Sequence, residues 1–227
     1  MPFSPQDARR WINEHLAHKR PELVPDYDAM VTACEVASAK GVKCDVEDLG
    51  PLCNGIVHPQ AKIWRDAVAL ARFLSLRDGP VFDILQRVTA HPKAARRQRF
   101  FQCIDYKSVR ERTLVLLDLM TKDKAVDSRI SAYWTLVQFE QERLKPKLAA
   151  YRESEINEKC LNELDQVEKL VDRGYLLKDL DYEWLTTKRI VFTAFCRHGL
   201  FSISMDEDDF KATSIDSLKS RCWNAQG

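Results

Sequence analysis

Between residues 61 and 198, apolar side chains return every three or four positions, and short polar or Gly/Pro breaks cut the pattern into helix-sized pieces. That period lays an apolar stripe along an α-helix, whereas a half-buried strand alternates with period two. Ile63, Ala67, Leu70, Ala71 and Leu74 are the cleanest example, running up to Asp78-Gly79-Pro80. The same spacing predicts helices over 80–90, 93–105, 107–121, 125–144, 154–173 and 181–198. His91-Pro92, Asp105-Tyr106, Lys122-Asp123, Pro146, Gly174 and Gly199 punctuate them, with Ser154 as a cap and Gly174 at a left-handed C′ position. Upstream, Ser4-Pro5 opens a helix through Trp11, Ile12 and Leu16 that Pro21 stops, and a second runs from Asp26 to Gly41. Residues 42–60 carry Gly50-Pro51, Asn54-Gly55 and His58-Pro59, and read as a looped segment with at most one short helix.

Composition agrees, since only 7 Gly and 9 Pro occur in 227 residues, and Ala and Leu outnumber Val and Ile. Phe201-Ser-Ile-Ser-Met205 is the exception, alternating with period two. A lone strand is expected to lie as an extended segment on the helices unless 42–57 supplies a mate. The expected class is all-α, either an irregular stack of antiparallel helical hairpins or a globular helical bundle, with at most one short strand near 201–205. The expected organisation is a single structural domain: N-terminal helices and a looped segment over 1–60, a hairpin core over 61–200, and an extension over 201–227.

Sliding the chain by 32 residues lays Val81–Gln102 on Thr113–Trp134. Leu85/Leu117, Thr89/Thr121 and Arg97/Arg129 coincide, and apolar character is kept at Phe82/Leu114, Ile84/Leu116 and Val88/Met120. Within it, Arg110, Thr113 and Leu117, then Arg129, Ala132 and Leu136, repeat an Arg, a small residue three later and a Leu four after that. This spacing over 61–198 resembles the helices of HEAT-like repeat proteins. The resemblance implies arginines that cap or bridge neighbouring repeats, and an extended concave binding surface.

Seven cysteines with no Cys-x-x-Cys spacing point to reduced core residues. The chain opens without a signal-type apolar run, and no stretch reaches 18 uninterrupted apolar residues. The expected location is cytoplasmic, with no membrane contact. No Gly-rich phosphate loop, nucleophile elbow or His-Glu-x-x-His occurs, so the sequence leans away from an enzyme and calls for no cofactor. His15 and His18 could share a metal but have no third ligand near in sequence and lie among Arg and Lys on a solvated face. Cys34, Cys44, Cys53 and His58 could form a zinc set, but their gaps of ten, nine and five are irregular, and no metal is expected. Cys196 beside Arg197 and His198 reads as a core cysteine at a helix end. Asp118 falls on a polar stripe with Ser108, Glu111 and Lys122, facing water. Trp11, Trp64, Trp134, Trp184 and Trp223 are scattered, and most read as core anchors, with Trp223 a docking anchor or part of a partner site.

Charge is segregated although the formal net charge is only +1. Lys93, Arg96, Arg97, Arg99, Lys107, Arg110 and Arg112 stand against Asp105 and Glu111, beside Phe100, Phe101 and Trp134. Residues 153–183 are acidic, and Asp206, Glu207, Asp208 and Asp209 form a second acidic run. The acidic run also suits the cap and first turn of a short helix. The expected function is a non-enzymatic binding protein, either an adaptor or an inhibitor or immunity-type antagonist of a partner protein, using these charged surfaces. The alternative is nucleic-acid binding through the basic 93–112 edge. In its enzymatic form that alternative resembles the HEAT-like alkylpurine DNA glycosylases, for which no catalytic Asp and Trp pair maps onto this chain. The bland possibility is that the basic helix pairs with the chain's own acids.

Overall fold

The computed structural model describes residues 4–41, 44–45, 47–75, 81–104, 111–139, 141–180, 188–196 and 199–225. The chain divides into two compact units, Met1–Ser131 and Ala132–Gly227.

The first unit begins as Ser4-Pro5 predicts. The Ser4 hydroxyl accepts from the Asp7 N–H at 3.2 Å and the Asp7 carboxylate accepts from the Ser4 N–H at 3.1 Å, a reciprocal cap for α1 (Pro5–Trp11). The chain continues through a π-helical stretch, Ile12–Leu16, into α2 (Ala17–Lys19), and α3 (Val24–Lys40) ends at Gly41 with φ of 56°. The looped segment contains one short helix, α4 (Gly50–Ile56). There follow α5 (Ala61–Ser75), α6 (Val81–Thr89), α7 (Ala94–Arg97), α8 (Arg99–Cys103) and α9 (Glu111–Met120), and α10 (Val126–Phe139) carries the chain into the second unit. In the first unit α3 packs on α4 and α5, α4 on α5 and α6, α6 on α8 and α9, and α5 on α8. Tyr27, Met30, Leu52, Ile56, Ile63, Leu70, Leu74, Ile84, Leu117 and Phe100 are buried between them.

Gly55 is where α4 comes closest to its neighbours. A Cβ there would stand 2.9 Å from Met30 Sδ and 3.0 Å from Ala67 Cβ. Gly55→Val is expected to lower stability in urea denaturation by about 2–3 kcal/mol, because α3 and α5 must both retreat.

The second unit holds α11 (Gln141–Ser154) and α12 (Glu158–Arg173). Pro146, expected to stop a helix, lies inside α11, at the loss of one backbone hydrogen bond. Asn157 rather than Ser154 caps α12, accepting from the Cys160 N–H at 3.3 Å, and Gly174 closes it in the left-handed region with φ of 74°.

The all-α expectation fails after Gly174. Strands β1 (Tyr175–Leu180), β2 (Arg189–Cys196) and β3 (Gly199–Asp206) form an antiparallel sheet in that order, so the fold is α+β, mainly helical. The period-two segment is a strand, and its partner is β2, inside the stretch predicted as a helix over 181–198, rather than 42–57. Ile190, Phe192 and Ala194 turn inward in β2 while Val191, Thr193 and Phe195 are half-buried on the opposite face. Apolar residues on both faces hid the alternation, and β-branched and aromatic residues favour the pleated surface. After α13 (Glu207–Ala212), α14 (Ile215–Asn224) packs on β2, closing a core of Phe192, Ala194, Met205, Leu218 and Cys222. Among the described residues no helix is long and apolar enough to cross a membrane.

Candidate functional site

Among the described cationic residues of 93–112, Lys93 precedes α7, Arg96 and Arg97 lie on α7, Arg99 opens α8 and Arg112 lies on α9. The turns that lead into α5, α7, α10 and α12 share one geometry. His58, His91, Asp123 and Glu155 each offer a side-chain acceptor to the backbone N–H two residues on: Gln60 at 3.1 Å, Lys93 at 3.0 Å, Ala125 at 2.8 Å and Asn157 at 2.9 Å. Their own N–H groups donate to the carbonyls of Gly55, Val88, Met120 and Arg152, three residues back. The next helix starts three residues later each time, at Ala61, Ala94, Val126 and Glu158. The offsets are 33, 32 and 32 residues, so the spacing seen between 81–102 and 113–134 extends one turn further in each direction. Turn-forming His, Asp and Glu differ in chemistry but each presents an acceptor at the same reach.

Arg97 spends its fork inside the fold. Nε and Nη2 grip Asp123 at 2.6 and 2.7 Å, and Nη1 donates to the His91 and Pro92 carbonyls at 2.8 and 2.9 Å. Asp123 is held below the usual carboxylate range; burial pushes it up, but the Arg97 hydrogen bond and the Ala125 N–H outweigh that. Arg112 lies over the Phe82 ring, 3.7 Å from its centroid. Lys107 and Arg110 lie outside the described residues.

Three predicted residues do gather. Arg99 donates through Nη1 to the Ile56 and His58 carbonyls at 2.6 and 2.8 Å and stacks 4.6 Å from the Trp64 ring centroid, and Arg65 flanks the same ring at 5.6 Å. Arg96 reaches His91, with Nη1 3.4 Å from Nε2, and Lys93 is exposed beside it. Burial lowers the Arg99 pKa, and the Arg96 charge lowers it further. Likewise burial and then Arg96 lower that of His91. Among the described residues Arg65, Lys93, Arg96 and Arg99 meet rings, carbonyls and a histidine but no carboxylate. Sequence reasoning missed Trp64, Arg65 and His91. The repeated His-Pro at 58 and 91, and the three-residue steps from Lys93 to Arg96 to Arg99, were the available signals.

The acidic stretches are met from within the second unit. Arg152 bonds Asp165 and, at 3.0 Å, Glu168; Lys145 reaches Asp172 at 2.5 Å; and the Trp134 indole N–H donates to Glu163 at 2.7 Å. In the 206–209 run, Asp206 stands 3.9 Å from Arg189, and Glu207, whose pKa the Lys211 hydrogen bond lowers, pairs with Lys211 at 2.9 Å. Asp208 and Asp209 are exposed in the first turn of α13.

The remaining candidates stay apart. His15 and His18 are exposed, Cys34 and Cys53 are buried, and Cys44 is half-buried with Sγ 3.7 Å from Asp48. Among the described residues no group of three or more metal-ligating side chains forms. Asp118 and Cys196 are half-buried, Trp223 is exposed on α14, and Arg197, His198 and Trp184 lie outside the described residues. The chain matches no protein-family model, no curated protein and no solved structure.

Proposed function

We propose that this chain is a binding protein, an adaptor or an inhibitor or immunity-type antagonist, that holds a partner protein through its cationic edge. One observation carries the reading: Arg65 and Arg99 flank the Trp64 indole, Lys93 and Arg96 stand at the His91 turn, and among the described residues none of the four meets a carboxylate. Half-burying arginines side by side costs stability, and an anionic partner surface offsets that cost on binding. The recurring turn and the packing of α4 on α6 on α9, beside α5 on α8, support a stack of HEAT-like helical hairpins as the scaffold. Seven cysteines carried as thiols, five of them buried, support a reducing, cytoplasmic setting.

The nucleic-acid reading needs a row of cations along a phosphate backbone. It is weakened because Arg97 is committed to Asp123 and two carbonyls, and because Arg65 and Arg99 already cover the Trp64 ring that would stack on a base. The test is fluorescence anisotropy with a labelled glutamate-rich peptide and, separately, a labelled single-stranded DNA. The peptide is expected to bind, and Arg65→Glu with Lys93→Glu, which touch no backbone carbonyl, to weaken it at least about tenfold. Preference for the DNA with a steep salt dependence, or no change in the double variant, would overturn the reading.

A further inference from the structure

In three of the four turns the first residue meets a complementary group. His58 Nε2 faces the Asp26 carboxylate at 3.7 Å, Asp123 takes the Arg97 fork, and Glu155 accepts from the Tyr133 hydroxyl at 3.1 Å. His91 does not. Its Nδ1 lies 3.0 Å from the Lys93 N–H and its Nε2 3.4 Å from Arg96 Nη1. A neutral imidazole has one acceptor nitrogen, yet two N–H donors aim at this ring. The shorter contact makes Nδ1 the acceptor, so Nε2 carries the hydrogen and points it at another donor. Protonating the ring gives no relief, because Nδ1–H would then oppose the Lys93 N–H. An oxygen accepting from both Nε2–H and Arg96 satisfies the pair.

Arg99 stands within electrostatic reach of Arg96, and the bonds it makes use Nη1 alone, leaving its Nε and Nη2 edge. We propose that His91, Arg96 and Arg99, with Lys93 at the rim, bind the phosphate group of a phosphorylated residue on the partner protein. The choice of phosphate rests on charge and shape. Two guanidinia within electrostatic reach of one another call for more than one negative charge, and a phosphomonoester brings about −1.5 to −2 at pH 7 where a carboxylate brings one. Its three tetrahedral oxygens can also accept from donors on two guanidinia and an imidazole at once, whereas one carboxylate fits one fork. A phosphodiester carries a single charge and needs the extended row that Arg97 and Arg112 do not supply.

This inference rests on the cationic edge being the partner site. Its test follows the His91 ring by NMR across pH with O-phosphoserine, dimethyl phosphate or glutarate as probe, in the full chain and in Arg96→Gln and Lys93→Gln. O-phosphoserine is expected to raise the His91 pKa from its lowered position, since the anion's attraction offsets part of what burial and the Arg96 charge impose on the ring. Arg96→Gln, checked for an unchanged unfolding midpoint, is expected to abolish the rise; Lys93→Gln is expected to reduce it. An equal response to glutarate, or a larger one to dimethyl phosphate, would overturn the phosphomonoester assignment. No response to any probe while the glutamate-rich peptide still binds overturns this inference and leaves the binding reading standing. Loss of both overturns both.

Discussion

Arg97→Met is expected to lower the stability of the protein by about 3–5 kcal/mol in urea denaturation at pH 7, the range found when one partner of a buried ion pair is removed. The side chains of Arg97 and Asp123 are only 13% and 6% exposed, so little solvent screens the pair. The substitution leaves a buried carboxylate facing an apolar chain and strips the His91 and Pro92 carbonyls of their donor. Arg97→Lys is expected to recover less than half, because an ammonium cannot hold both carboxylate oxygens and both carbonyls in one plane. The effect has a pH signature. Asp123 has a folded pKa below its ordinary value of 3.8, so its contribution is complete above that value and is lost as pH falls through the folded pKa. The gap between wild type and Arg97→Met is therefore widest at neutral pH and narrows as pH falls, from where the unpaired buried Asp123 of the variant takes up a proton down to the folded pKa of the wild type. A gap that stays constant down to pH 2, or a cost under about 1 kcal/mol, would show that Asp123 is not held charged by Arg97.

The same arginine shows what a sequence can and cannot display. Its coincidence with Arg129 under a 32-residue shift was visible, and so was its place in a basic run. Its partner was not, because Asp123 is 26 residues away and two helices intervene. Counting charge over 93–112 therefore overstated the cations open to a partner, while Arg65 and Trp64 fell outside the window although they sit beside Arg99. The acidic stretch at 153–183 is the converse case. From Arg152 back to Lys145 is seven residues, as is Asp165 forward to Asp172, so two helical turns along α11 match two turns along α12 in an antiparallel pair. That pairing was legible in the spacing, but only once Pro146 is read as lying inside a helix. Helix starts were legible where a cap announced them, as at Ser4, and helix ends where glycine can turn left-handed, as at Gly174. The three-stranded sheet was half legible, since β3 alternates openly while β2 carries apolar residues on both faces.

Phe192→Ala tests that sheet most severely, with an expected loss of about 3–5 kcal/mol. Phe192 is fully buried in the central strand, stacked on Tyr175 with centroids 5.4 Å apart and flanked in register by Leu177 and Ile203. It faces the Leu218 and Cys222 side of α14. Three strands have little independent stability without a packed helix, and truncating the ring opens a cavity at the contact that retains α14. Protection of the α14 amides against hydrogen exchange is expected to fall with the global stability. Thr193→Ala is the matched control on the opposite face, where the hydroxyl shares a 2.8 Å hydrogen bond with Ser202, and its expected cost is about 1 kcal/mol or less. The two positions are adjacent in sequence and opposite in the sheet, so a register shifted by one residue would exchange them. A large loss at Thr193 with a small one at Phe192 would place the apolar face of β2 away from α14, and the register of all three strands would have to move with it.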